Sequence, residues 1–186
     1  SEYILMTDGD CIPREDFVET HFLNRDEGCF ISGGYFMLPM NISKEITQID
    51  IDQQNCFNLN WLKERGISKA FKNNKLTARG FIAKLLNIFT PTNASWNGHN
   101  SSGWKKDIVK INGFDERMQY GGQDRELGER LVNIGIRSKQ LRYSVICVHL
   151  DHKRGYKKQS SIDKNNAIRK ETRSKKLVWT NYGIFK

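Results

Sequence analysis

"EYILMTDGDCIPRED", residues 2–16, is the stretch on which the fold turns. Its apolar run, Tyr3 to Met6, gives way to Thr7 and then to two carboxylates one residue apart, Asp8 and Asp10. A short apolar run bounded by polar residues predicts a buried strand. A strand that ends on chemically active side chains fits an α/β sheet, where ligands bind beyond the carboxyl ends of the strands. Two carboxylates aimed into one crevice repel each other unless a cation lies between them, and hard oxygen donors suit Mg²⁺ or Mn²⁺. Gly9 between them would let the backbone approach a bulky anionic ligand. Asp-x-Asp alone arises often by chance, so the rest of the chain has to supply its context.

Working outward, "PREDFVETHFL" (13–23) predicts a helix with Pro13 at its first position and acidic residues near its positive end. "CFISGGYFML" (29–38) predicts a strand bent or interrupted at Gly33-Gly34, and residues 43–66 predict a helix closed by Gly66. "DRELGERLVNIG" (124–135) is the best-specified helix. Leu127, Leu131 and Ile134 form its apolar face, Arg125 is paired with Glu129 and Glu126 with Arg130 at i,i+4, and Gly135 is the stop. "RYSVICVHLDH" (142–152) predicts a buried strand ending near His149 and His152. "RGFIAKLLNIFTP" (79–91) is basic and rich in apolar residues, suited to a membrane surface, to a groove, or to packing as a loop on the core.

The 186 residues suffice for one domain with its own core, and 38% apolar with 27% charged residues excludes a disordered chain. The longest apolar stretches are too short to span a bilayer and the start resembles no signal peptide, so the sequence reads as a soluble, cytoplasmic protein. Cys11, Cys29, Cys56 and Cys147 form no CxxC pair, which argues for free thiols rather than a zinc ribbon or a disulfide framework. The net charge of +9 is unevenly spread. Residues 1–152 hold nineteen basic and nineteen acidic side chains, whereas residues 153–186 hold eleven basic and two acidic. The division is therefore a main portion, 1–152, and a basic, helical C-terminal tail, 153–186. The tail suits an anionic partner, or is simply a solvated lysine-rich helix.

The most specific stretch is "WNGHNSSGWKKDIVKINGFDERMQYGGQDRELGERL", residues 96–131. A polar glycine-rich loop and a short helix lead to Gly121-Gly122, which would open room for a substrate beside Gln123 and Asp124. Asp124 fits a helix N-cap as well as a catalytic carboxylate. Trp96, Trp104, Phe114 and Tyr120 lie near it in sequence, and aromatic faces beside a carboxylate suit a sugar ring.

Taken together, the Asp-x-Asp at 8–10, the "GHNSSGWKKD" loop, the "INGFDERMQYGGQDRELGERL" block and the histidine-bearing "VICVHLDH" strand resemble the family 2 GT-A glycosyltransferases. The likeness is to bacterial members whose second half is similar to the C-terminal domain of β-1,4-galactosyltransferases, and it spans residues 3–152. The resemblance implies a partial GT-A fold: α/β, with a mixed sheet flanked by helices. It implies an inverting, metal-dependent transfer of a sugar from a nucleotide donor, UDP-linked for preference, to a glycan or lipid-linked saccharide in surface polysaccharide synthesis. Asp10 and His149 would hold Mn²⁺ or Mg²⁺, with His152 as the fallback ligand. Asp8 would assist through the nucleotide ribose or a metal-bound water. Asp124 would be the general base. Asn100, Ser101 and Trp104 would line the donor or acceptor pocket together with Gly121, Gly122 and Gln123.

Gln123 departs from the family, which usually carries Glu before the catalytic Asp. The motif at residue 8 also comes early, so the chain is expected to be the C-terminal portion of a longer enzyme, lacking the nucleotide-binding half and weak or inactive alone. Peripheral contact with the anionic inner face of a membrane is expected, and no nucleic acid. The rival readings are a saccharide-binding domain without catalysis and a basic nucleic-acid-binding module.

Overall fold

A computed structural model describes residues 1–90, 92–155 and 157–186; Pro91, at the end of the 79–91 stretch, and Tyr156, in the basic tail, lie outside the described residues. A five-stranded mixed sheet organises the chain. Its strands are β1 (Tyr3–Met6), β2 (Cys11–Pro13), β3 (Cys29–Met37), β4 (Ser101–Trp104) and β5 (Arg137–His149), in the spatial order β1-β4-β3-β5-β2. β4 is antiparallel to both β1 and β3, and β3 is parallel to β5. It follows that β1, β3 and β5 all point the same way. The loop after β1 and the end of β5 are therefore delivered to one edge of the sheet, the edge at which α/β proteins bind ligands.

The first predicted helix starts later than its sequence suggests. Pro13 closes β2, paired with Cys147, and α1 runs Phe17–Leu23. The predicted 43–66 helix is instead three short ones, α2 (Met40–Glu45), α3 (Gln48–Asp52) and α4 (Leu59–Glu64), with a 3₁₀ turn at Asn55–Phe57. Local polar bonds break it: Thr47 and Asp50 form a reciprocal capping box, Gln54 takes a left-handed conformation, and Asn58 caps α4. With α5 (Asn74–Thr77), these pieces close over a core of Ile12, Phe36, Leu38, Ile42, Leu62, Leu76, Ile146 and Val148, and α6 (Gly80–Phe89) follows, its Ala83 packed on Tyr143 of β5. A second core, around Trp96, Phe30, Ile108, Leu127 and Leu131, seats α7 (Lys105–Lys110) and α8 (Gln123–Asn133).

The predicted bend at Gly33-Gly34 is a register jump: Gly33 faces Leu141, but Gly34 faces Ile146. Asn100 plugs the gap. Its side chain fills the space a Cβ on Gly33 would need, and its amide donates to the carbonyls of Gly34 (2.7 Å) and Val145 (3.2 Å). Because those carbonyls fix which end of the amide donates, Asn100 Oδ1 must accept from His21 Nε2 (3.0 Å). His21 Nδ1 then accepts from Ser102 Oγ (2.7 Å), which leaves that oxygen to accept from Tyr3 Oη (2.8 Å). Burial holds the His21 pKa down to about 4, so the neutral tautomer is the one this chain of bonds contains.

The basic C-terminal segment folds onto the same body. Its helix α9 (Gln159–Ser174) packs on α8 through Arg169–Glu129 (2.6 Å), through Thr172–Glu126 (2.9 Å), and through the Asn165 amide, which donates to the carbonyls of residues 119–121. Beyond it, Asn112 bonds the carbonyls of Thr180 and Phe185. All four cysteines are free, and Cys29, Cys56 and Cys147 are buried. No helix among the described residues is long and apolar enough to cross a membrane.

Candidate active site

At the shared strand edge a cleft of ≈ 480 Å³ is lined by Asp8, Asp10, Gly121, Gly122, Gln123, Asp124, His149 and His152, residues drawn from three separate parts of the sequence. The carboxylate pair rides the turn between β1 and β2, where Cys11 N–H closes onto the Asp8 carbonyl (3.1 Å). Asp10 Oδ2 lies 3.0 Å from His152 Nε2 and 3.7 Å from His149 Nε2. Each imidazole Nδ1 is set against a backbone carbonyl, Leu150 for His149 (2.8 Å) and Lys153 for His152 (3.0 Å). A carbonyl can only accept, so both Nδ1 atoms carry the proton, and in the neutral rings both Nε2 lone pairs face a carboxylate oxygen. Lone pairs so placed repel unless a proton or a metal ion sits among them.

That donor set fits a divalent ion. Asp10, Cys11 and His149 present ligand atoms all within 4.8 Å of one another, and the backbone bonds already hold the histidines in the tautomer a metal needs. Asp8 shows the same crowding. Its pKa is raised, first by partial burial and then by the charges of Asp10 and Asp124, with His149 opposing.

Asp124 lines the same cleft from the first turn of α8. It is not the N-cap; Gly122 holds that position in a left-handed conformation, φ +89°, directly after Gly121 at φ +105°. An L side chain is strained at either angle, and a Cβ on Gly122 would come within 3.1 Å of Arg169 Cδ. Gln123 turns back to accept the Gly121 N–H (2.9 Å), bracing the bend. The Asp124 carboxylate is aimed by two backbone donors, Gly98 N–H to Oδ2 (3.1 Å) and Arg125 N–H to Oδ1 (2.8 Å). Its place at the positive end of α8 favours a negative charge there.

Three residues expected in a sugar pocket are elsewhere. Asn100 and Ser101 are fully buried beneath the cleft floor, where Asn100 plugs the strand gap and Ser101 Oγ takes the Asn97 N–H (2.9 Å). Trp104 lies at the far end of β4, edge-on to Tyr3 and donating to the Asp26 carbonyl. The expected aromatic cluster also disperses. Trp96 is entirely buried against Gly103 and Gly128, Phe114 packs on the same core, and of the four only Tyr120 lines the cleft.

Other lining residues were not singled out from the sequence. His99 sits between Tyr35 and His149, its pKa brought down to about 4 by burial and by its histidine neighbour. Its place in "NGHN", beside a polar glycine loop, was the available signal. Arg154, Lys157 and Arg169 supply a cationic wall from the basic tail. Proximity to the "HLDH" motif could have marked the first two. Arg169 depends on how α9 packs, which no local pattern carries.

A family profile described as the N-terminal domain of galactosyltransferase matches residues 90–153. That span, about a third of the chain, holds the loop through His99, the Gly121-Gly122 turn, Asp124, His149 and His152. It supports a glycosyltransferase-like domain, and the curled mixed sheet flanked by helices agrees with a partial glycosyltransferase fold. No curated protein matches the chain.

Proposed function

We propose that this chain carries the metal-binding and acceptor side of an inverting glycosyltransferase, which moves a sugar from a nucleotide diphosphate donor, UDP-linked for preference, to a saccharide or lipid-linked acceptor. The observation that carries the reading is the convergence of Asp124 with Asp10, His149 and His152 on a single cleft.

In this reading Asp124, steered by the Gly98 and Arg125 amides, takes the proton from the acceptor hydroxyl as that oxygen bonds to the anomeric carbon. The glycosidic bond to the diphosphate breaks on the opposite face, and its electron pair leaves with the phosphate oxygen. A single displacement of this kind inverts the anomeric centre. Asp10 and His149, with His152 and Asp8 in support, would hold Mn²⁺ or Mg²⁺, whose chemistry is to neutralise the departing diphosphate. Arg154, Lys157 and Arg169 add charge of the right sign to the same cleft. Gln123 binds by hydrogen bonding without adding charge to the acceptor side.

The test has two readouts. Titration with Mn²⁺, followed by electron paramagnetic resonance, is expected to show a site weakened tenfold or more by His149→Ala, on the order of the effect of losing one ligand. Release of UDP from a panel of UDP-sugars is expected to depend on Mn²⁺ and on one sugar, and to drop about 10²–10⁴-fold in Asp124→Asn. If Asp10→Ala and His149→Ala leave Mn²⁺ binding untouched, the metal assignment is wrong. If release persists undiminished in Asp124→Asn, the base is another group.

A further inference from the structure

The helix α6 (Gly80–Phe89) is amphipathic the wrong way round for a soluble protein. It meets the sheet through Ala83, Leu86 and Asn87, packing on Tyr143 and bonding Tyr143 N–H and Ser144 Oγ through the Asn87 amide. Its most apolar stripe faces outward instead. Phe81, Ile88 and Phe89 are 74%, 73% and 76% exposed, and Ile82 and Leu85 flank them. At i, i+4 and i+7, Phe81, Leu85 and Ile88 form one continuous face. A grouping of this size on a surface marks an interaction site rather than scattered exposure.

The stretch of chain that carries it has charge of one sign. From Arg65 to Lys106 the sequence contains no Asp or Glu, while Lys69, Lys72, Lys75, Arg79 and Lys84 precede or lie within the helix. Arg79 is engaged by Glu15 and Asp16. Arg142, on β5, bonds Thr92 just past the helix end and lies close enough to Lys75 that the two repel, lowering the Lys75 pKa after burial has done so. Phe71, 66% exposed, adds an aromatic ring beside Lys69 and Lys72. An exposed apolar helix face on a stretch of chain that carries only basic charges matches the interfacial zone of an anionic bilayer, with apolar groups at the acyl boundary and cations among the headgroups.

We infer that the outward face of α6, with Lys84 on the helix and Lys69 and Lys72 in the exposed segment that leads to it, docks the protein on an anionic lipid membrane. In the basic tail, α9 is packed on α8 and directs Arg169 into the cleft. The position suits the reaction proposed above. Thr92 and Asn93, just beyond α6, line a cavity of ≈ 220 Å³ that reaches His99 and Asp124, so a lipid-linked acceptor could run from the membrane to the base. That last step rests on the glycosyltransferase reading; the docking itself does not.

Co-sedimentation with phosphatidylcholine vesicles, with and without phosphatidylglycerol, tests the inference independently of any catalysis. Binding is expected only to the anionic vesicles and is expected to weaken in high salt. The double variant Phe81→Ser/Ile88→Ser should lower partitioning about tenfold or more through lost apolar insertion. Lys72→Glu/Lys84→Glu should lower it by a similar factor through charge. All four positions are exposed, so both variants should keep the parent's circular dichroism and melting temperature. Failure to bind anionic vesicles at low salt would overturn the inference, as would equal binding to neutral vesicles. So would binding that survives both variants but is lost in Lys170→Glu/Lys176→Glu, which would move the contact to the tail. A concentration-dependent dimer dissociated by Phe81→Ser/Ile88→Ser, without vesicle binding, would assign the face to a second copy instead.

Discussion

Glu126 and Arg130 look in the sequence like one of two equivalent surface pairs on α8, the other being Arg125 and Glu129. Their neighbours make them unlike. Glu126 and Arg130 are both about 1% exposed and bonded at 2.8 Å, and the guanidinium also donates to the carbonyls of Ile111 and Gly113. Glu126 takes the Thr172 hydroxyl besides, so one buried ion pair joins α8, the loop before it and α9. Glu129 turns to Arg169 rather than to Arg125, which is exposed. An i,i+4 spacing is identical for both pairs; only the surface that each side of the helix meets decides which is buried. Removing one partner of a buried pair leaves the other charged and unpaired, so Glu126→Ala should cost about 3–5 kcal/mol. Arg125→Ala, on the exposed side, should stay within about 0.5 kcal/mol. Urea denaturation of the two variants checks the contrast, and equal losses would mean that Arg130 finds other partners or water.

Among the elements, the Gly121-Gly122 turn into α8 connects sequence to chemistry most directly, because it sets where Asp124 points. Gly122 at φ +89° is the N-cap, and Gln123 and the Asn165 amide brace the turn from both sides. Gly122→Ala should therefore destabilise the fold by roughly 1–2 kcal/mol from the left-handed backbone alone. Its Cβ would also press on Arg169, so Mn²⁺-dependent UDP release should fall further than the loss of folded protein accounts for. Melting temperature and release measured side by side separate the two effects, and a variant that loses stability but keeps its rate would show that the turn does not aim Asp124. This turn was visible in the sequence because paired glycines before a well-patterned helix have few other uses. In the 43–66 region the loose apolar spacing favours one helix, but the Thr47-x-x-Asp50 capping pair opens a new one at Gln48 and so divides it.

For the molecule as a whole, the legible part of the site is the part carried by strands and by the paired-glycine turn into α8. Asp8, Asp10 and His149 could be placed at one edge because apolar runs predict buried strands, and parallel β1, β3 and β5 then bring their ends together. Arg169 could not be placed, since a basic helix has the same pattern whether it faces solvent or a cleft. Nor could Asn100, whose polar loop suggested a sugar pocket while its side chain fills a gap between strands. That gap makes His21 a probe of global stability, because its ring supports Asn100 and Ser102 from within the core. The folded pKa is about 4, against about 6.5 in the unfolded chain. Between those values the unfolded state binds a proton that the folded state refuses, so stability is complete above about pH 6.5 and falls as pH drops toward 4. The linked loss approaches roughly 3 kcal/mol at the bottom of that window. Carboxylates held below their usual range, such as Asp115 beside Arg117, titrate lower still and add their loss only in stronger acid. Stability measured by urea denaturation from pH 7 to pH 4 should therefore decline in the parent with a slope that His21→Gln reduces by close to one proton, even though that variant starts less stable. A slope unchanged in His21→Gln would place the acid sensitivity elsewhere and show that the strand gap tolerates a charged ring.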